Sequence, residues 1–434
     1  MPEIKKKRGD PSEPEIDLPR LKSLVDGVNR FGRDARTGGF DRPGYSDADM
    51  AARRWFADQM RDDGLAVTMD GVANVFGRYG PDDGPSVMAG SHLDTVPQGG
   101  AFDGVLGVCV ALECVRAMRD ARIEPPVAVE VVATAEEEGR FGGMLGSQAL
   151  SGQVSPAWLE HGTDADGVKL ADAMAAQGLD AMDALLAARQ PGSVLAFLEL
   201  HIEQGPILET RAIPVGIVDA ISGVSNLAVT LKGKANHSGT TPMDMRADAF
   251  VGLSQFAIQI PSLVADHGTQ QTRITIGKVE LQPNFPHTIP GIAEFSVITR
   301  DTDESVMRDL VGVLKQELHA VAGKHDLSYS VSEKSWLPPA SLDDGLVSAL
   351  CQEAENLGLA HIVMPSGAGH DAQTMQAFCP SGLIFVPSRA GISHAPEEWT
   401  DWEDIQEGAQ LMLNMLVRLC RDGGSADGAE RAAS

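Results

Sequence analysis

SVMAGSHLDTV (86–96), GVLGVCVALECVRAMR (104–119) and VAVEVVATA (127–135) decide the fold of this chain. The first segment is largely apolar up to its His-Leu-Asp end and predicts a strand. The second is long enough for a buried helix. The third is dominated by Val, as a strand covered on both faces of a parallel sheet should be. Strand, helix and strand in that order predict an α/β domain with a mixed, mostly parallel sheet between helices.

The same style extends outward. On the N-terminal side, Ser46 and Asp49 resemble a capping box ahead of a helix whose apolar face is Trp55, Phe56 and Met60; Gly64 is placed to end it. LAVTMDGVANVFGRYG (65–80) has a strand pattern. On the C-terminal side the composition shifts near residue 220. From ISGVSNLAVTLKGKANHSG onward the pattern reads strand, helix (243–260), strand (TRITIGKVEL), strand (GIAEFSVITRD), helix and strand, up to about Trp336. The α/β style then resumes with a helix (LVSALCQEAENLG) and a strand (SGLIFVPS). The expected organisation is a catalytic domain over 1–218 and 337–422, interrupted by a smaller α+β domain over 219–336. Residues 1–16 and the tail 423–434 are poor in large apolar side chains and are expected to be disordered.

Of 434 residues, 61 are acidic and 35 basic, a net charge of −26. Such a surface repels phosphate backbones and anionic lipid, which disfavours nucleic-acid and membrane partners. No run of about 18 apolar residues predicts a membrane span. The charged N-terminus lacks the apolar core of a secretory signal. Five scattered Cys without a CxxC spacing imply free thiols. A cytoplasmic location is expected.

Five clusters carry chemistry. GSHLDTVPQGGAFDG (90–104) sets His92, Asp94 and Asp103 in a loop past a strand's carboxyl end, where α/β sheets bind ligands. His with carboxylates suits Zn²⁺ or Mn²⁺, and Asp94 is spaced to hydrogen-bond the second imidazole nitrogen of His92. The bland reading of that loop is a solvated turn. TAEEEGRF (134–141) places three Glu after the Val-rich strand: an acidic turn, or one metal-bound carboxylate beside a general base. His201 in LELHIEQGPILE, His370 in MPSGAGHDAQ and His394 in GISHAPEEW complete the set. A lone strand-end His is more often structural, but the last two lie in Gly- and Ser-rich loops, which favour sites over packing.

Together, in this order, the blocks resemble the M20-type co-catalytic metallohydrolases. The similarity is greatest to the branch of N-carbamoyl-L-amino acid hydrolases, β-ureidopropionases and allantoate amidohydrolases. GSHLDTVPQGGAFDGVLGV, the EEG with a following RF, HIEQGPILE, NHSGTTPMDMR, MPSGAGHDAQ and FVPSRAGISHAPEE carry the resemblance, which covers roughly residues 28–418. It implies two divalent metal ions per subunit (Zn²⁺ or Mn²⁺, with Co²⁺ and Ni²⁺ admissible) held by His92, Asp103, Glu138, His201 and His394. Asp103 would bridge them. Glu137 would be the general base; counting back from Arg140-Phe141 instead makes Glu136 the base and Glu137 the ligand. The resemblance implies that the inserted domain is a ferredoxin-like lid and dimerisation domain. Its His237 would serve the partner subunit's active site in a homodimer. Gln204, Arg300, Gly369 and His370 are the implied substrate contacts, Arg300 as a clamp for a substrate carboxylate.

One position departs from the pattern. Where the family carries a substrate-binding Asn before its Val/Ile-Pro-Gly, this chain has His287 in PHTIPG. Imidazole brings a different reach and a titratable charge. The expected activity is hydrolysis of a linear amide or ureido C–N bond in a small carboxylate-bearing substrate. An N-acyl-amino acid or dipeptide hydrolase of the same fold is the rival, and a non-catalytic scaffold a distant third.

Overall fold

The computed structural model describes residues 14–423. They form two compact units. One comprises the chain up to Asp219, Leu342–Met364 and the part from His370 onward; the other comprises Ala220–Ser341 with Pro365–Gly369. The second boundary therefore falls a few residues later than the composition shift suggested, and five residues of the MPSGAGHD segment belong to the insert.

The first unit contains β1 (Ala66–Met69), β2 (Val75–Tyr79), β3 (Ser86–His92), β4 (Ala128–Thr134), β5 (Val194–Ile202) and β6 (Val215–Ile221). The pattern over 65–80 had suggested one strand. It is two, because Ala73 adopts φ +66 and turns the chain between them. The insert contributes β7 (Gly223–Lys232), β8 (Asn236–His237), β9 (Arg273–Thr275), β10 (Val279–Gln282), β11 (Thr288–Ile289), β12 (Ile292–Asp301), β13 (Ser328–Leu337) and β14 (Ala340–Ser341). The chain then returns with β15 (His361–Ser366) and β16 (Ser381–Val386).

In the first unit the strand order is β1-β2-β4-β3-β5-β16-β6, with β15 also on β6. The four central strands β4, β3, β5 and β16 run parallel. Every residue of β3 and β4 is buried, which is why these strands carry small and branched apolar residues without alternation. The helix Val105–Asp120 crosses between β3 and β4 and is buried along nearly its whole length. Helices Leu18–Val28, Asp47–Asp62 and Trp402–Gly423 share the same core.

Helix Asp47–Asp62 starts as the sequence suggested. Ser46 Oγ accepts the Asp49 N–H at 3.2 Å, and Gly64 at φ +78 follows its end. Asp49 does not complete the box: its carboxylate takes the Tyr45 N–H at 2.9 Å and Arg53 Nε at 2.8 Å. Two termini are more ordered than expected. Ile16 is buried and donates its N–H to Gln410, and helix Leu18–Val28 follows, burying Leu21, Leu24, Val25 and Val28 at helical spacing. Gly423 ends a helix rather than opening a tail. Residues 1–13 and 424–434 lie outside the described residues.

The insert is a βαββαβ unit. Its antiparallel sheet has the order β10-β12-β7-β13, with β9 also on β12. β7 alternates buried and half-buried residues along its length, and its inner face (Leu227, Val229, Leu231) packs under helices Ala249–His267 and Glu304–Lys324. The first helix begins six residues later than the pattern over 243–260 suggested, capped by Asp248, which accepts the Phe250 N–H at 2.9 Å. TRITIGKVEL is two short strands, β9 and β10, rather than one. Among the described residues this Ala249–His267 helix alone is long and apolar enough to cross a membrane. No such segment was expected, for want of a run of about 18 apolar residues. In the fold it buries Ala249, Gly252, Leu253 and Phe256 on one side.

Candidate metal centre

All four central parallel strands deliver a candidate residue at their carboxyl ends. His92 closes β3, Glu136 to Glu138 follow β4, His201 is the penultimate residue of β5, and His394 lies in the loop after β16. Strand neighbours stand about 4.8 Å apart, so side chains at successive ends converge. Asp103 enters from the loop ahead of helix Val105–Asp120. Its Oδ1 is 3.4 Å from His92 Nε2 and 3.1 Å from His201 Nε2; its Oδ2 is 3.3 Å from His394 Nε2. His394 Nε2 is also 3.4 Å from Glu138 Oε2. The donor atoms thus form two groups that share one carboxylate, His92–Asp103–His201 and Asp103–Glu138–His394.

The three consecutive Glu point to different places. Glu136 has φ +56 and turns its carboxylate onto the Phe141 N–H (2.5 Å) and the Gly143 N–H (3.3 Å) of its own loop. Glu137 Oε2 faces His92 Nε2 at 3.5 Å. Glu138 faces His394. The geometry therefore leaves Glu136 a loop anchor and brings Glu137 and Glu138 to the cluster.

Both imidazoles on the first group are oriented from behind by main-chain carbonyls. His92 Nδ1 bonds the Asp94 oxygen at 3.0 Å, and His201 Nδ1 the Ile202 oxygen at 2.9 Å. This corrects the expected role of the Asp94 carboxylate, which stands 3.9 Å from His92 Nδ1. It accepts instead the N–H groups of Glu137 (3.3 Å) and Glu138 (3.1 Å), fixing the acidic loop, and meets the buried Arg53 at 3.5 Å. Gly104 is required beside His92: it has φ +64, and a Cβ there would sit 2.4 Å from the ring.

The residues fit a cation. Among the described residues no Lys or Arg pairs with Asp103, Glu137 or Glu138; their ionic partners are the imidazoles alone. Burial and neighbouring acids push Glu137 well above the usual carboxylate range and Glu138 up to about 7. His394, bonded to Asp103, is pushed up to about 9; His92 rises despite its burial because four carboxylates surround it. Burial opposes ionisation of Asp103 too, yet three imidazoles hold it well below its usual value. Nearly every group shifts toward taking up a proton, so the cluster is short of positive charge. A divalent ion would supply that charge. Gln204, at φ +56, donates Nε2 to Asp103 Oδ2 at 2.7 Å, while its buried Oε1 has no hydrogen-bond partner among the described residues.

A model of peptidase family M20/M25/M40 matches residues 88–418. The chain belongs to this family. It is 36% identical to an N-carbamoyl-L-amino-acid amidohydrolase of Paenarthrobacter aurescens over 93% of this chain and 98% of the relative. It is 37% identical to an allantoate amidohydrolase of Escherichia coli (strain K12), over 92% and 97%. A solved amidase of the hydantoinase/carbamoylase family from Burkholderia multivorans superposes with TM-score 0.85 at 31% identity, covering 93% of this chain and 98% of that one.

The remaining residues expected from the M20-type blocks lie elsewhere. His370 is 2% exposed, its ring 4.6 Å from that of His201 and 5.4 Å from that of Phe385. It lies behind His201, between that ring and Phe385. In the insert, His237 and His287 are exposed and meet on the β8–β11 ribbon, where His237 pairs with Thr288. The His287 ring stands 6.0 Å from Phe285, and Arg300 donates Nη1 to the Gly367 oxygen at 2.8 Å, next to Gly369 in the same segment.

Sequence reasoning missed three supporting side chains. Glu199, buried on β5 and pushed up to about 7 by burial and Asp371, accepts the Ser91 O–H at 2.7 Å and the Ala372 N–H at 2.9 Å behind His201. Ser393 and Glu398 brace Asp103 from the His394 loop. Glu398 belongs to GISHAPEEW (391–399), but nothing in its spacing says which backbone it caps. Glu199 was visible as an acid inside an apolar strand.

Proposed function

We propose that this chain is a metal-dependent amidohydrolase that cleaves a ureido C–N bond in an N-carbamoyl amino acid or related ureido acid. It is a hydrolase of carbon–nitrogen bonds other than peptide bonds. The observation that carries the metal reading is the split of the Asp103 carboxylate, one oxygen toward His92 and His201 and the other toward His394 beside Glu138. Those five side chains would hold two divalent ions, Zn²⁺ or Mn²⁺, with Co²⁺ and Ni²⁺ admitted by the same donors. When bound, they would acidify water and polarise the scissile carbonyl.

The chain's own groups do the rest. Glu137 is the carboxylate of the cluster outside both donor groups. Its Oε2 takes the proton of the attacking water and returns it to the leaving nitrogen as the C–N bond breaks. For a carbamoyl substrate the products are an amine, carbon dioxide and ammonia. Gln204 Oε1, a buried acceptor in want of a donor, would take an N–H of the ureido group. Arg300 would pair its planar fork with the substrate carboxylate. The chain would act as a homodimer, with His237 donating to the developing oxyanion in the partner's site, and would work in the cytoplasm. His287 and Gly369 would line the substrate.

An ammonia-release screen tests this. Stripped protein reloaded with Mn²⁺ or Zn²⁺ is offered N-carbamoyl amino acids, N-carbamoyl-β-alanine, allantoate and matched N-acyl amino acids. Release from at least one ureido acid is expected. Cleavage of N-acyl acids or dipeptides alone would favour the second reading, which His287 in place of an amide side chain supports.

A further inference from the structure

Asp103 Oδ2 is crowded. It accepts Gln204 Nε2 at 2.7 Å and the Ser393 hydroxyl at 2.8 Å, with His394 Nε2 at 3.3 Å. A carboxylate oxygen offers about two lone-pair sites, and two donors already take them. A cation binding to this oxygen must displace one donor.

Ser393 has somewhere to turn its proton, and Gln204 Nε2, 3.2 Å from Ser393 Oγ, can donate to that oxygen whichever way the proton points. Its hydroxyl has a single proton and a second acceptor in reach, Glu398 Oε2 at 2.9 Å. Glu398 is 3% exposed and held firmly: its other oxygen accepts the N–H groups of Phe102 at 2.8 Å and Asp103 at 3.1 Å. Room for it exists because residue 100 is Gly, where a Cβ would lie 2.1 Å from the carboxyl. One side chain therefore grips the backbone of Asp103 and offers an alternative place for the proton that blocks its carboxylate.

We infer that Glu398 is a positioning residue that accepts the Ser393 hydroxyl and so frees Asp103 Oδ2 for a divalent cation. The hydroxyl turns from one carboxylate to the other, and no hydrogen bond is lost when the ion enters. This inference rests on the reading of Asp103 as a cation ligand. In a Glu398→Gln protein the amide oxygen keeps the two backbone N–H groups. Its NH₂ then points at Ser393 Oγ and leaves that hydroxyl's proton on Asp103.

The test is calorimetric titration of Mn²⁺ into chelator-stripped protein, with thermal unfolding of each stripped form. Glu398→Gln is expected to weaken Mn²⁺ binding about tenfold, the size of one hydrogen bond to a charged group, while the stripped protein unfolds as wild type does. Adding Ser393→Ala to Glu398→Gln is expected to restore binding, because the competing donor is gone. Ser393→Ala alone is expected to bind Mn²⁺ at least as tightly as wild type, and it keeps the test alive should Glu398→Gln not fold. Wild-type affinity in Glu398→Gln, a loss that Ser393→Ala does not relieve, or a tenfold loss in Ser393→Ala alone overturns the inference and leaves the metal reading intact. Absence of Mn²⁺ binding in wild type overturns both.

Discussion

Glu137 Oε2 lies 3.5 Å from His92 Nε2, while the neighbouring Glu136 is turned away onto its own loop. One peptide unit thus separates a residue placed for chemistry from one that folds a turn. Glu137→Gln is expected to lower kcat by about 10²–10⁴-fold, the usual weight of a general base, with bound metal unchanged. Glu136→Gln, which keeps an acceptor for Phe141, should stay within a few-fold of wild type. Steady-state kinetics with metal analysis of both proteins checks this; the reverse pattern would assign the base to Glu136.

Chelation is expected to abolish turnover, and Mn²⁺ or Zn²⁺ to restore it. Ions that bind only the native chain also stabilise it, by about 2.7 kcal/mol at a hundredfold excess over Kd. Melting curves of stripped and reloaded protein should therefore separate, with the stripped form lower. Full activity after exhaustive chelation would sink the metal mechanism.

Gly104 sits at φ +64 with the His92 ring where its Cβ would be. Gly104→Ala is expected to cost about 1 kcal/mol or more from backbone strain alone and to push His92 off the Asp103 carboxylate. Activity should fall far more than stability does, which denaturant unfolding beside kinetics will show. Unchanged activity would mean that His92 tolerates displacement.

Arg53 is fully buried between Asp49, at 2.8 Å, and Asp94, at 3.5 Å, and also donates to the Ala73 and Ala133 oxygens. Arg53→Met removes the cation and leaves both acids enclosed, a change expected to cost about 3–5 kcal/mol. Adding Asp49→Asn should recover part of the loss. Urea unfolding of the single and double variants measures both effects.

Asp404, on the first turn of helix Trp402–Gly423, is pushed up to about 6 by burial and by Asp401, Glu407 and Glu403. Its folded pKa exceeds the unfolded value, so the chain gains stability as pH falls from about 6 toward 3.8 and loses it again on the way up. Asp404→Asn should raise Tm at pH 7.5, and the gain should vanish below the unfolded pKa. An equal gain at both pH values would show that charge is not the cause.

Much of this was legible in the residues. The Val-rich run 127–135 has the composition of a buried strand, and Ala128–Thr134 of it is β4. The apolar stretch from Val105 became the helix across the sheet. Irregular junctions were harder: the turn at Ala73 and the split between β9 and β10 depend on φ values that no composition announces. Helix Leu18–Val28 has apolar residues at helical spacing, but they follow directly on a charged stretch poor in large apolar residues, whose composition reads as disorder.

What the sequence determined by itself is the α/β alternation, the family, and a set of His and carboxylate candidates at strand ends, because periodicity and donor chemistry are local properties. What only the tertiary structure decided is which candidates meet. Asp103 finds His92, His201 and His394 because parallel strands align their carboxyl ends. Glu136 leaves the cluster because one left-handed residue turns its side chain, and His370 is enclosed because β16 brings Phe385 against it. Distances between residues far apart in the chain are set by strand order and packing, and neither is written in any single segment.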